Sequence, residues 1–130
     1  MNTVRAALPL LLTLLIAGCA VAPPAPGLSD VIARPAERAL LAGLRAYDDG
    51  QYTDAERELG KALAAGLASP RDRASAHKHL AFVYCASGRV PPCEAAFRAA
   101  RAADARFVLT RAEAGHPLWG PVYRRVLPAL

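Results

Sequence analysis

The sequence is short of aromatic residues, of long apolar runs and of strand-like alternation. Aromatics are 6% of the 130 residues, and no stretch alternates Val, Ile or Thr with polar residues over the length of a strand. Both absences argue against a sheet and for an all-helical chain. A bilayer-spanning helix needs about 20 apolar residues. The run Ala6 to Ile16 is shorter and contains Pro9, so it is not read as such a helix. Glycine-rich phosphate loops, paired catalytic carboxylates and nucleophile motifs are also missing. His77 and His79 lie on different sides of a helix and do not chelate one metal ion together, and His116 precedes a proline. The expectation is a protein that is not an enzyme, with no cofactor, no metal and no small-molecule substrate.

What is abundant is alanine. It supplies much of the 54% hydrophobic content, favours helix and buries little area per residue, so helices should pack closely. The formal net charge is +5, unevenly spread. Residues 37–58 carry six acids against three arginines, whereas residues 59–130 carry eleven bases against four acids. A basic half suits an acidic protein or a membrane surface.

The N-terminus has a short basic segment ending at Arg5, then the apolar run, then Ile16-Ala17-Gly18-Cys19. This resembles the lipobox of bacterial lipoproteins. The resemblance implies that residues 1–18 are a signal peptide, that the Cys19 thiol is diacylglycerylated, and that the new amine is acylated. Several acyl chains anchor stably where one does not. Ala20 follows the cysteine where an aspartate commonly retains lipoproteins at the inner membrane. The expected location is therefore the outer membrane, lipid-anchored and facing the periplasm, with no nucleic-acid partner.

Residues 19–35 read as a proline-rich tether, with Pro23, Pro24, Pro26 and Pro35 excluding regular helix. Residues 36–130 read as one helical domain. Leu40, Leu44 and Tyr47 share a helix face that ends at Asp48-Asp49-Gly50. Thr53 and Glu56 read as a capping box opening a second helix, with Ala55, Leu59, Ala62 and Leu63 inward and Gly66 closing it. Ser69-Pro70 opens a third helix running to about Ser87, with His77, Leu80, Ala81 and Tyr84 on one face. Pro91-Pro92 opens a fourth, to near Asp104. A short fifth is expected from Val108 to Ala114, and the tail from His116 should lay Trp119 over the open end of the stack.

Two copies of one pattern recur 38 residues apart. The first is Gly50-x-Tyr52-x-x-Ala55-x-x-x-Leu59-x-x-Ala62; the second is Gly88-x-Val90-x-x-Cys93-x-x-x-Phe97-x-x-Ala100. The pattern resembles the tetratricopeptide repeat, a helix–turn–helix unit of about 34 residues. The resemblance implies two repeats closed by a C-terminal capping helix, and a partner groove on the inner face of each first helix. Carried onto this chain, the groove includes Leu44, Tyr47, Lys78 and Phe82. An aromatic and a long cation are common anchors, although Phe82 also reads as core.

Cys85 and Cys93 stand at neighbouring helix ends, and the periplasm is oxidising. A disulfide is expected; two buried thiols, or one lining the groove, are the alternative. The lipobox, the Tyr84-to-Gly88 turn with its Cys93 partner, and the run from Gly115 to Tyr123 together resemble the TssQ-like lipoproteins associated with type VI secretion systems. That resemblance implies an accessory interaction module binding a protein of the cell-envelope secretion complex. A pilotin-like chaperone for an outer-membrane complex and a regulator of a cell-wall enzyme are the other readings.

Overall fold

Two short turns, one after Asp48 and one after Ala86, are built alike. After Asp48 the Gln51 N–H reaches the Ala46 carbonyl at 2.8 Å and the Gly50 N–H reaches Tyr47 at 3.0 Å. After Ala86 the Arg89 N–H reaches Tyr84 at 2.8 Å and the Gly88 N–H reaches Cys85 at 3.1 Å. This paired capping requires a left-handed residue, and Gly50 and Gly88 supply it with φ of 73° and 71°. Each turn folds one helix back on the next.

The computed structural model describes Gly27 and residues 34–127. The lipobox-like stretch, Cys19 and most of the proline-rich tether lie outside the described residues. Six helices follow in order: α1 (Pro35–Asp48), α2 (Tyr52–Ala65), α3 (Pro70–Ala86), α4 (Val90–Ala103), α5 (Arg111–Ala114) and α6 (Gly120–Val126). No strand occurs among the described residues. Helices α1 and α2 form one hairpin, α3 and α4 a second; α3 also packs on α1 and α2, and α6 packs on α4 and α5.

The start of α3 follows its sequence signal. The Ser69 hydroxyl accepts the Asp72 N–H at 3.2 Å and Pro70 occupies the first turn. The Arg73 guanidinium donates to the Leu67 and Ala68 carbonyls at 2.8 and 2.9 Å, fixing the link from α2.

The last three landmarks of each copy form the core of its hairpin. Ala55, Leu59 and Ala62 of α2, and Cys93, Phe97 and Ala100 of α4, are all 0% exposed. The α1–α2 approach depends on Gly43: a Cβ there would lie 2.7 to 3.0 Å from side-chain and backbone atoms of Leu59. The Cys85 and Cys93 sulfurs lie 2.05 Å apart, a disulfide distance, with Cα atoms 5.4 Å apart. Cys93 takes the slot that Ala55 fills in the first hairpin, which is why a small side chain is needed there.

Four sequence expectations are corrected. Thr53 does not cap α2; the helix begins at Tyr52 with Gln51 as its cap residue and no side-chain cap bond. Glu56 instead forms a two-pronged pair with Arg89, at 2.7 and 3.2 Å, across to the α3–α4 turn. The fifth helix begins at Arg111, not Val108, because Thr110 and Glu113 form the capping box. The tail holds a further helix, α6, whose buried Gly120, Val122 and Tyr123 pack inward. Finally, the sequence places the excess of the 38-residue spacing over the usual repeat in a loop at residues 64–72, but α3 has 17 residues against 14 in α1, so part of that excess is helix.

Three outcomes are expected in urea unfolding. Overpacking a core costs about 1–3 kcal/mol, while replacing a helical glycine by alanine gains up to about 1 kcal/mol. Gly43→Ala should therefore destabilise by about 1–2 kcal/mol, and Gly60→Ala, which has open space around it, should stabilise by about 0.5–1 kcal/mol. Reducing the short Cys85–Cys93 loop should cost about 2–3 kcal/mol; alkylation of the unreduced, unfolded protein at both residues would refute the bridge.

Candidate partner groove

The inner side of α1 and α3 carries a chain of rings. Tyr47 lies 5.7 Å from Tyr52, 5.2 Å from His79 and 6.1 Å from Phe82, centroid to centroid. The Lys78 ammonium sits 5.7 Å from the centre of the Phe82 ring. Tyr47, Lys78 and Phe82 thus gather in one cluster, as the sequence pattern expects. Leu44, one turn earlier on α1, is half-buried beside the core.

The C-terminal segment lies in this groove. Trp119 stacks on Phe82 with centroids 4.3 Å apart and an interplanar angle of 24°. His116 stacks in turn on Trp119 at 3.4 Å. The indole N–H donates to the Glu113 carbonyl at 2.9 Å, and the Glu113 carboxylate takes a 2.7 Å bond from Lys78. Phe82 is consequently 3% exposed, and it also packs edge-on against Phe97 of α4. The expectation that Phe82 meets a partner is corrected: it is core, covered by Trp119. Trp119 lies on the inner face of α3, not only over the end of the stack. Tyr47 and Leu44 remain half-buried at the rim, and Tyr52 is exposed.

Electrostatics follow from this closure. Burial pushes the Glu113 carboxyl up, but Lys78 and Thr110 outweigh it and hold the group below its ordinary value. Burial lowers the His79 imidazole, against the opposing bond of its Nδ1 to the Ser75 carbonyl at 2.7 Å. His77 is lowered by burial as well. The two histidines serve different surroundings; the structure does not bring them together on a ligand.

Sequence reasoning missed Glu113 and His116 as groove-filling residues. The signal was present in Thr110-x-x-Glu113, the same Thr-x-x-Glu signature assigned instead to Thr53 and Glu56. Beyond the Lys78–Glu113 pair lies an open cleft of about 540 Å³, between the first half of α3 and the connection before α5. Arg71, Ala74 and Lys78 line one side, and Arg106, Phe107 and Val108 the other. Comparison of the chain with models of protein families, with curated proteins and with solved structures found no match.

A pH dependence follows from the lowered histidines. The unfolded chain takes up protons near the ordinary value of 6.5, where the folded chain resists them. The associated stability is complete above that value and is lost as pH falls through the folded-state values. Urea midpoints should drop between pH 7 and pH 5, and His79→Gln should flatten part of that slope. An unchanged slope in both His79→Gln and His77→Gln would contradict it.

Proposed function

We propose that this chain is a lipid-anchored interaction module of a bacterial envelope. Its helical hairpins are tetratricopeptide-like repeats, closed by the C-terminal helices. Residues 1–18 are a signal peptide, Cys19 carries the acyl chains, and the tether holds the domain on the periplasmic side of the outer membrane. The module acts as an accessory component of a type VI secretion system and grips a protein of that envelope complex.

The observation that carries this reading is the equivalence of the two hairpins. Ala55, Leu59 and Ala62 are buried in one as Cys93, Phe97 and Ala100 are in the other, and both turn through the same paired capping at glycine. Repeated hairpins stack into surfaces that bind other proteins. Helical, alanine-rich packing offers a shaped surface. The free rim of the groove, Leu44 and Tyr47 on α1, is where the partner is placed.

The test is made in cells. Labelled palmitate should enter the wild-type protein and not Cys19→Ala, and the mature N-terminus should be residue 19. A photo-crosslinking side chain at Tyr47 should capture an envelope protein that the same group at exposed Arg38, on the opposite side of α1, does not. An N-terminus elsewhere would overturn the anchor. Identical capture from both positions would overturn the groove.

A further inference from the structure

The cleft beyond Lys78 has properties that the ring-lined groove lacks. We propose that it docks a short, extended, acidic peptide segment of a partner protein. The inference rests on reading the domain as an interaction module, though not on the secretion-system assignment.

The main chain beside the cleft is half used. The Phe107 carbonyl accepts the Arg101 Nε–H at 2.9 Å, and the Leu109 N–H donates to the Tyr123 hydroxyl at 3.2 Å. Between them, the N–H and C=O of Val108 have no hydrogen-bond partner among the described residues, and Val108 is 68% exposed. A donor and an acceptor on one residue, left free between a bonded C=O and a bonded N–H, are what a strand edge offers to an incoming peptide. A peptide residue returns one C=O and one N–H at matching spacing.

Charge selects which peptide. The two acids on the cleft are already engaged, Glu113 with Lys78 at 2.7 Å and Asp104 with Arg106 at 3.5 Å. Arg71 lines the cleft, and its guanidinium has no hydrogen bond or ion pair among the described residues. Arg111, directly after Thr110, is likewise exposed with its side chain unpaired. The surplus is positive, so carboxylates gain contacts there and lysines meet repulsion. Ala74 and Phe107, 3% and 9% exposed, give an apolar floor for alternate side chains. A volume near 540 Å³ lies within the range of about 300–1,000 Å³ common for ligand clefts.

The probe is a fluorescein-labelled peptide of alternating glutamate and valine, titrated with the full-length protein in detergent and read by anisotropy. It should bind about tenfold or more tighter than a lysine–valine counterpart, and Arg71→Glu with Arg111→Glu should abolish that preference. Val108→Pro, which removes the N–H, should weaken binding about tenfold while keeping the charge preference. If Val108→Pro unfolds, N-methylation of alternate peptide amides reads the same main-chain bonds. Equal binding of both peptides, no binding, or no effect of N-methylation overturns the proposal. So does charge-dependent binding to phosphatidylglycerol vesicles without peptide binding, which would mark a headgroup site. Peptide binding without Tyr47 crosslinks in cells would remove the ring-lined groove and keep the cleft; the reverse would remove the cleft alone.

Discussion

The ring of Phe82 is the contact on which the assembly of the elements depends. From α3 it touches Tyr47 of α1, Phe97 of α4 and Trp119 of the C-terminal segment. Alanine-rich helices bury little area each, so a protein with few aromatics concentrates them where several elements meet. Trp119 in turn is held by its indole bond to the Glu113 carbonyl, and Glu113 by Lys78. The contacts that hold the C-terminal segment to α3 are therefore the same contacts that close much of the groove. Packing takes most of the side chains that the sequence pattern assigns to a partner.

The hairpins were legible because their determinants are local. Gly50 and Gly88 mark turns that no β-carbon residue makes as easily, and the period of Ala55, Leu59 and Ala62 appears again as Cys93, Phe97 and Ala100. The start of α3 was equally plain from Ser69-Pro70. The state of the groove was not, because it is decided by residues more than thirty positions away in sequence. Nothing around Phe82 announces that Trp119 will lie on it. The third helix also has buried residues around much of its circumference, Ala74 and Ala76 as well as Phe82 and Val83. A single amphipathic face is the wrong template for a helix with neighbours on most sides.

The misassigned capping box teaches a related point. Thr53-x-x-Glu56 and Thr110-x-x-Glu113 are the same signature, and only the second forms. At the first, the chain leaves a tight glycine turn already wound, so the helix starts before Thr53 and needs no side-chain cap. Glu56 is then free to reach Arg89, and the acid that would have closed the box ties α2 to the neighbouring turn. At the second, Phe107 to Leu109 arrive as irregular chain and the orphan N–H groups of α5 require a partner. A motif acts only where the backbone leaves it something to satisfy.

The covalent link joins α3 to α4 near their shared turn, and the first hairpin has no counterpart. The two halves are thus unequal in their freedom to open. In hydrogen exchange, the amides of α1 and α2 would gain their deuterons through excursions in which the second hairpin stays shut. The half nearer the N-terminus would breathe, and the half that bears the cleft would stay whole while it does so.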